Sequence, residues 1–467
     1  MGGAQRDSGG HVCETAGGAV CVPAHRPGPV PHSRRRAVRA GSVAAGEDSH
    51  RAGHGLQLAA PGSLPHSHPA ARRRPGGDHR ANRPLPGHLP AVTVSAAQAE
   101  VVVDLAAVRH NIGILAEHAR GADVMAVVKA DGYNHGAAEV ARAALAAGAA
   151  EIGTTTIGEA VALRAAGIDA PILCWLNTSD ADYLGAVRAG VEVAVPSVAH
   201  LRAVTAAART AGAPAAIALK VDTGLGRNGV AAAEFPDLLA ELGPAVADGT
   251  VRLRAMFSHL AQADIPRHPM NGVQRDRLAE AVATATSHGL RPDRVHLANS
   301  AATLTRPDLA FDLVRPGIAV YGLSPVPEFG DFGLRPAMTF RARVTLVKRL
   351  RAGQGVSYGH RWIAPRDTTV ALIPAGYADG VPRTLSGRFD VGIDGARYPS
   401  VGRVCMDQVV VDLGDNPAGI AEGDPVVLFG GDPGQPTAQE WADTLDTIHY
   451  EIVCAPRGRA VRRYVDG

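Results

Sequence analysis

The stretch VMAVVKADGYNHGAAEVARAALAAGA, residues 124–149, contains one complete strand–turn–helix unit. It starts with the apolar run 124–128, is interrupted by the polar stretch KADGYNH, and continues as an alanine-rich segment with helical periodicity over 136–147. A short apolar run followed by a turn and a helix is typical of a βα unit, whose strand is buried on both faces of a parallel sheet. The stretch therefore predicts an α/β fold.

The pattern occurs eight times before residue 316. Helical segments, such as 136–147 and 197–211, lie between the apolar runs. Eight strands alternating with helices over about 230 residues predict a (β/α)8 barrel of the TIM type over residues 96–333, with an open doubly wound sheet as the alternative arrangement. The eight predicted strands are 124–128, 152–156, 172–176, 191–195, 217–221, 256–260, 295–298 and 313–315.

A different pattern begins at about residue 334. Five strand-like runs are separated by Gly, Pro and Asp turns, and no long helical stretch lies between them. We therefore expect a mostly β C-terminal domain, residues 334–467, after the barrel. The five runs are 339–346, 368–373, 388–393, 408–413 and 424–429.

Residues 1–95 differ in composition from the rest of the chain. They hold twelve Arg, no Lys, nine His and many Pro and Gly. Such a segment buries too little apolar surface to offset its ordering entropy, so we expect a disordered extension, or upstream sequence translated from a misassigned start. The basic runs 34–36 and 72–74 lack aromatic neighbours and a recognisable motif, and we therefore expect no nucleic-acid partner.

Composition also limits the class of protein. No apolar run reaches the roughly 18 residues that a membrane span requires, so we expect no membrane partner. The five cysteines, an odd number, show no metal-ligand spacing, which predicts no metal site and favours a reducing compartment, the cytoplasm.

Lysine is rare in this chain. Only Lys129, Lys220 and Lys348 occur among 47 basic residues. Arg replaces Lys wherever a positive charge suffices, but its guanidinium stays protonated and cannot act as a nucleophilic amine. The remaining lysines are therefore candidates for lysine-specific chemistry. Lys129, at the end of the first predicted strand, lies where a partly desolvated amine can bond covalently to an aldehyde.

Other chemically informative residues also lie at or just after the ends of the predicted strands. Barrel active sites are built at the carboxyl ends of the strands, so this distribution predicts a single active site at one rim. The residues are Lys129, Trp175, Lys220, His259, Asn299, Ser300 and Arg315.

A set of segments, in this order, resembles those of alanine racemases over roughly residues 98–464. After VVKADGYNHG (127–136) come LKVDTGLGRNG (219–229), MFSHLAQAD (256–264), HLANSAAT (296–303), VRPGIAVYG (314–322), VSYGHRW (356–362), IPAGYADGVPR (373–383) and VGRVCMDQ (401–408). The ordered set is far more specific than any one member. The resemblance implies a homodimer that uses pyridoxal 5'-phosphate to interconvert L-alanine and D-alanine for cell-wall peptidoglycan.

The resemblance also assigns roles to individual residues. Lys129 and Tyr358 are the opposed acid/base pair, and Tyr358 comes from the neighbouring subunit. Arg227 contacts the cofactor and substrate, Met406 holds the substrate carboxylate through its backbone N–H, and Lys220 matches a lysine that is carbamylated in some relatives. The implied cofactor-binding residues are Lys129, Tyr133, Trp175, His259, Asn299, Ser300, Arg315, Gly317 and Ile318.

Three of the matched positions carry specific expectations. The resemblance places Arg315 against the pyridine nitrogen of the cofactor, with His259 beside both. Since a guanidinium has no proton to spare, the ring nitrogen is expected to stay unprotonated, which favours return of the proton to Cα over transamination. Gly458 occupies the place where many relatives carry a Tyr that reaches the phosphate, so one phosphate contact is expected to be missing.

Other functions fit parts of the pattern. A racemase of the same fold that acts on serine, or on a wider range of amino acids, differs in pocket volume. A non-catalytic pyridoxal-phosphate-binding barrel needs neither Tyr358 nor Met406, and a related decarboxylase generally pairs the ring nitrogen with a carboxylate. Residues 224–229 also fit the GxGxxG dinucleotide fingerprint, although in the fifth unit rather than the first.

Overall fold

The computed structural model describes residues 97–466 of the chain. The expected disordered extension, residues 1–95, lies outside the described residues. The described part begins with strand β1 (Ala99–Asp104) and helix α1 (Leu105–Ala119). The Asp104 carboxylate caps this helix by accepting hydrogen bonds from two backbone N–H groups of its first turn.

Eight parallel strands then form a closed barrel, which confirms the predicted fold. Each predicted apolar run contains or overlaps one of these strands, and helices occupy the segments between them. The strands are β2 (Asp123–Val127), β3 (Glu151–Thr154), β4 (Ile172–Cys174), β5 (Glu192–Val195), β6 (Ala215–Lys220), β7 (Val251–Phe257), β8 (Arg294–His296) and β9 (Leu313–Val314). The segment α2 (Lys129–Tyr133), which follows β2, is a left-handed turn rather than a regular helix. The helices are α3 (Ala137–Ala146), α4 (Ile157–Ala165), α5 (Tyr183–Arg188), α6 (Val198–Ala211), α7 (Phe235–Ala247), α8 (Pro269–Ser287) and α9 (Ser300–Thr305).

The barrel interior is filled by a mixture of small and large apolar side chains. Alternation of alanines with larger residues allows the inward-facing layers to interdigitate. The interior is therefore a packed core rather than a channel, and a ligand site has to form at the strand ends. The interior residues are Met125, Leu173, Ala194, Ala218, Ala255, Phe257 and Leu313.

The C-terminal part is mostly β, as predicted. Its strands are β10 (Met338–Arg343), β11 (Leu346–Leu350), β12 (Gly355–Val356), β13 (Trp362–Ile363), β14 (Thr368–Ile373), β15 (Asp390–Ile393), β16 (Ala396–Val401), β17 (Val409–Gly414), β18 (Pro425–Phe429) and β19 (Val461–Val465). Two helices, α10 (Ala438–Leu445) and α11 (His449–Cys454), precede the last strand. Among the helices of residues 97–466, none is both long and apolar enough to cross a membrane.

Two features of this part differ from the sequence-based expectation. Residues 99–104 fall within the predicted barrel domain, 96–333, but strand β1 pairs antiparallel with β10 and parallel with β19, so it belongs to the nine-stranded C-terminal sheet. Helix α10 was not expected, although Thr437 and Glu440 form a capping box that marks its start. The last strand of the chain therefore lies beside the first described strand.

A buried charge cluster lies inside the barrel at the amino-terminal ends of the strands. Arg254 bonds both Glu151 and Glu192, with its Nε 2.6 Å from a Glu192 carboxylate oxygen. Both carboxylates are almost fully buried, and the other Glu192 oxygen has no hydrogen-bond partner within the described residues. Burial raises the pKa of Glu192 to about 7, and nearby Glu151 adds to the increase although Arg254 opposes it.

Glu192→Gln is expected to make folding stability less sensitive to pH. A carboxyl whose pKa is higher in the folded state than in the unfolded state stabilises the fold at low pH, and this contribution is lost as the pH rises through about 7. Since the amide keeps an acceptor for Arg254, the free energy of unfolding of the wild type is expected to fall relative to the variant by on the order of 2 kcal/mol between about pH 5 and about pH 8. Thermal unfolding at both pH values measures the difference.

Glu241→Gln is the control for this measurement, because Glu241 forms a surface ion pair with Arg202. An equal pH response in the two variants would show that Glu192 does not titrate as assigned.

Candidate active site

A cavity of about 540 Å³ opens at the carboxyl ends of the barrel strands. It brings together all eleven of the residues that the sequence singled out in the barrel, which come from several strand ends and the loops that follow them. Its lining consists of Val127, Lys129, Tyr133, Thr155, Trp175, Leu176, Lys220, Arg227, Asn228, Phe257, His259, Asn299, Ser300, Arg315, Gly317, Ile318 and Tyr450.

The backbone that follows Lys129 is left-handed. Five consecutive residues, 130–134, have φ between 50° and 66°, and only one of them is glycine. Each non-glycine residue in this conformation costs about 1–2 kcal/mol, so contacts elsewhere must compensate. Two carboxylates do so locally: Glu159 accepts a hydrogen bond from the Ala130 N–H at 2.7 Å, and Asp131 accepts one from the Ala137 N–H at 3.0 Å.

The C-terminal segment holds the same turn. The Asn134 amide donates to the backbone carbonyl oxygens of Val453 and Pro456, at 3.2 and 2.7 Å. Arg462 on β19 lies 2.8 Å from the Asp131 carboxylate and donates to the Asn134 side chain at 3.0 Å. The last strand of the chain therefore helps to fix the turn that carries Lys129.

The Lys129 amine is half-buried in the cavity. Burial lowers its pKa, and the positive charge of Arg227 lowers it further, while Glu159 opposes the change. Its Nζ lies 5.7 Å from the centre of the Tyr133 ring. A lower pKa increases the neutral fraction of the amine, which is the form that attacks a carbonyl carbon or accepts a proton.

Tyr133, Ser300 and Gly317 form a small polar cup at one end of the cavity. A Cβ on Gly317 would lie 2.3 Å from the Tyr133 hydroxyl, so glycine is needed for this close approach. The buried Ser300 hydroxyl accepts a hydrogen bond from the Gly317 N–H at 2.8 Å. Burial raises the pKa of Tyr133, so its hydroxyl stays protonated and can donate. The hydroxyl groups of Tyr133 and Ser300 are donors that suit a phosphate group.

Arg315 has no carboxylate among its hydrogen-bond partners in residues 97–466. It donates to His296 Nδ1 at 2.9 Å and to the carbonyl oxygens of Ser258 and Leu297. The two carbonyl oxygens carry no charge. His296 is also uncharged, because burial and the charge of Arg315 hold its pKa well below its usual value. The guanidinium is therefore an uncompensated cation. His296, which orients it, is the last residue of β8 and the first of the quoted segment 296–303, but no role was predicted for it because its contact with Arg315 leaves no mark in the sequence.

Positive charge accumulates in the cavity. Burial, followed by Arg315 and Arg227, lowers the pKa of Lys220 to about 8. Burial and four cations, of which Arg315 has the largest effect, lower the pKa of His259 to about 3, so this imidazole is neutral. Such a cavity favours ligands that carry more than one negative charge.

Tyr358 and Met406 do not line this cavity within one chain. Both are exposed, at 70% and 53% of their surface, on neighbouring loops of the β domain. The two loops are joined because the Ser357 hydroxyl donates to the Arg403 carbonyl oxygen at 2.7 Å and lies 3.2 Å from Cys405 Sγ. The structure therefore brings these two residues near each other but separates them from Lys129.

Tyr450 lines the cavity and was not identified from the sequence. Its ring centre lies 6.2 Å from that of Tyr133, and burial raises its pKa so that it remains a hydroxyl donor. Gly458, in contrast, lies against Ala378 and Asp379 and is not part of the cavity. Of the two, Tyr450 is the residue whose hydroxyl-bearing side chain lines the cavity, and the missing phosphate contact expected at Gly458 stays a prediction.

The loop 224–229 does not have the geometry of a dinucleotide site. The Asp222 carboxylate accepts hydrogen bonds from the N–H groups of Gly224 and Gly226, so these donors are already used. The next helix, α7, begins only at Phe235 rather than inside the motif. Within the described chain there is also no group of three or more His, Cys, Asp or Glu arranged to hold a metal ion.

Comparison with known proteins identifies the family. The family model described as alanine racemase, N-terminal domain, matches residues 103–325, and the one described as alanine racemase, C-terminal domain, matches residues 337–464. An alanine racemase of Mycolicibacterium vanbaalenii is 58% identical over 366 residues, which cover 78% of this chain and 94% of the relative. An alanine racemase of Mycobacterium tuberculosis is 57% identical over 367 residues, which cover 78% and 96%.

Solved structures agree with the sequence matches. Alanine racemase from Streptomyces lavendulae superposes with a TM-score of 0.77 at 47% identity, covering 80% of this chain and 98% of that one. Alanine racemase from Bartonella henselae with covalently bound pyridoxal phosphate gives a TM-score of 0.71 at 29% identity, covering 79% and 100%. With the barrel, the rim cavity and both domain matches in agreement, the chain belongs to the alanine racemase family.

Proposed function

We propose that the chain interconverts L-alanine and D-alanine with pyridoxal 5'-phosphate as cofactor, and so supplies D-alanine for peptidoglycan. The rim cavity is the observation that carries the proposal. It combines a lysine amine of lowered pKa, a guanidinium that bonds no carboxylate among residues 97–466, and a cup of hydroxyl donors. A solved relative that holds covalently bound pyridoxal phosphate supports the choice of cofactor.

The residues of the cavity fit this cofactor. Its phosphate would be held by the hydroxyl groups of Tyr133, Ser300 and Tyr450 together with the backbone around 317–318, and its ring would lie near Arg315 and His259. Trp175 and Asn299 line the same cavity. When bound, pyridoxal phosphate supplies an aldehyde for covalent attachment and an electron-withdrawing ring that makes the Cα–H bond of the amino acid more acidic.

Lys129 would move the proton on one face of the substrate Cα. Racemisation requires removal of the proton from one face and delivery to the other, which one amine does poorly, so a second acid/base group is needed. We assign this role to Tyr358. The accumulated positive charge of the cavity would stabilise negative charge on a phenol oxygen that enters it.

Arg315 would limit side reactions. Its guanidinium beside the ring nitrogen disfavours a proton there, because two positive charges would then be adjacent in a buried site. His296 and the two carbonyl acceptors hold the guanidinium in place without neutralising it. The residue thus favours quick return of the proton to Cα over transamination.

We propose a homodimer in which Tyr358 and Met406 of one copy complete the cavity of the other. The exposed Tyr and Met side chains on adjoining loops are of the kinds enriched at protein interfaces. The backbone N–H of Met406 would hold the substrate carboxylate, and Arg227 would contact cofactor and substrate.

We also propose that the Lys220 amine takes up CO2 as a carbamate. Its pKa of about 8 leaves an appreciable neutral fraction, whose nitrogen forms a bond to the carbon of CO2 while a proton passes to solvent. The negative charge gained would offset the neighbouring cations and orient Arg227.

Purified protein loaded with pyridoxal phosphate is expected to bring L-alanine rapidly to equal amounts of both enantiomers, and L-serine more slowly. Chiral chromatography measures this. Lys129→Ala is expected to reduce turnover at least about 1,000-fold because it removes the amine that moves the proton. Lys348→Ala, at an exposed strand position, is the matched control and is expected to keep full activity. A bound cofactor without any D-enantiomer would contradict the proposal and favour a non-catalytic cofactor-binding protein.

Mixing two inactive variants tests the shared active site. Tyr358→Phe is expected to bind the cofactor but lose most turnover, because the phenyl ring has no hydroxyl group to accept or donate a proton. In a heterodimer of Lys129→Ala with Tyr358→Phe, one site would contain both intact residues and the other neither. Random reassociation at equal amounts is therefore expected to restore about one quarter of wild-type activity. Absence of recovery in heterodimers that are shown to form would place both residues in the same chain's site.

Carbamylation of Lys220 is expected to give a carbamate carbon signal in NMR spectra of protein equilibrated with ¹³C-bicarbonate. The signal is expected to be absent from Lys220→Gln and retained in Lys348→Ala. A wild-type spectrum identical to that of Lys220→Gln would rule out the modification.

A further inference from the structure

A second cavity, of about 250 Å³, lies between the barrel and the C-terminal sheet. It shares no lining residue with the rim cavity. Its walls come from the connection between β9 and β10, the end of β18, the start of α10, and two histidines, His135 and His449. An apolar cavity of about 150 Å³ is large enough for benzene, so this one has room for a substituted ring.

His135 is one of the residues that line this cavity, and one of its ring nitrogens is an unused acceptor. The residue is fully buried, and its Nδ1 lies 2.8 Å from the Tyr133 carbonyl oxygen and 3.1 Å from that of Gly132. A carbonyl oxygen only accepts, so Nδ1 carries the proton and Nε2 has a free lone pair. Within residues 97–466, Nε2 has no hydrogen-bond partner. Burial also lowers the pKa of His135 to about 4, which keeps the ring neutral.

His449 presents a second unused acceptor. It is 4% exposed, and its Nε2 lies 2.7 Å from the Ser324 carbonyl oxygen, so Nε2 carries the proton. The Nδ1 atom therefore has the lone pair, and no described residue bonds it. Each buried acceptor left without a donor costs about 1–3 kcal/mol, so a molecule that donates to either one recovers that cost.

The remaining walls restrict the chemistry of such a molecule. They are mainly apolar, with Met338, Phe429 and Val453 among them, and they include one carboxylate, that of Asp331, but no Lys or Arg. An anion would meet two lone pairs and no cation, so it is disfavoured. A neutral molecule with an apolar body and an O–H or N–H donor matches both the walls and the two acceptors.

From this arrangement we infer that the cavity is a second binding site, separate from the active site, for a small, neutral, mostly apolar molecule with a hydroxyl or N–H donor. Its two acceptors belong to residues tied to the rim cavity: His135 bonds the backbone of Tyr133, and His449 precedes Tyr450 in the chain. A bound molecule would therefore lie behind the part of the rim-cavity wall that contains Tyr133 and Tyr450.

A matched pair of probes tests this inference. 4-Bromophenol and 4-bromotoluene have nearly the same shape, but only the phenol has a donor. Crystals of the cofactor-loaded full chain soaked in 4-bromophenol are expected to show an anomalous bromine peak in the cavity, with the phenol oxygen within hydrogen-bond distance of His135 Nε2 or His449 Nδ1. Calorimetry in solution is expected to give at least about tenfold weaker binding for 4-bromotoluene.

His449→Phe separates the hydrogen bond from the shape of the site. It keeps an aromatic ring but removes the acceptor, so 4-bromophenol binding is expected to weaken about tenfold while 4-bromotoluene binding changes little. The wild-type crystal decides the question even where this variant is unstable. Ordered water alone in the cavity, bromine bound only elsewhere, occupancy in the crystal without binding in solution, or equal affinity for the two probes would each overturn the inference.

Discussion

The left-handed turn after Lys129 is the conformation on which the site depends. Four non-glycine residues adopt it, which costs several kcal/mol before any contact forms. Part of that cost is offset by the ion pair between Asp131 and Arg462 and by the hydrogen bonds of Asn134. Since Arg462 lies on β19, which pairs with β1 in the large sheet, the C-terminal sheet takes part in aiming the lysine. The β domain therefore contributes to the barrel's chemistry within one chain, apart from any role in a dimer.

The positive charge of the cavity limits which ligands can bind there. Lys129, Lys220, Arg227 and Arg315 line it together, and the histidines around them are held neutral. Lys220 and Arg315 are buried and form no salt bridge within residues 97–466, which is unfavourable, and an anionic ligand would relieve this cost. A phosphate and a substrate carboxylate provide that relief in the proposed reaction. Burial and the neighbouring cations also lower the pKa of both Lys129 and Lys220.

The sequence predicted those features that leave a local pattern. Barrel strands buried on both faces appear as short apolar runs, and their carboxyl ends converge, so Lys129 and Arg315 could be placed at one rim. The sequence did not show that strand β1 belongs to the C-terminal sheet, because β1 pairs with β19 at the other end of the chain and the local sequence contains no sign of that pairing. The left-handed turn was equally unpredictable, since contacts with Arg462 rather than glycines stabilise it. Tyr450 was missed as a cavity residue because it lies on a short helix of the C-terminal part, far from the barrel strands in the sequence.

The separation of Tyr358 from Lys129 follows from the geometry of a barrel rim. Side chains at the strand ends approach a bound molecule from the floor and walls of the cavity, so they reach one face of it, and the opposite face has to be covered from outside. Within the described chain, Tyr450 is the residue of the C-terminal part that lines the cavity, whereas Tyr358 stays 70% exposed on its loop. A reaction that needs opposed acid/base groups therefore favours a second molecule as the source of one of them. In such an arrangement neither chain is competent alone, and activity depends on protein concentration through dimer formation as well as through the number of sites.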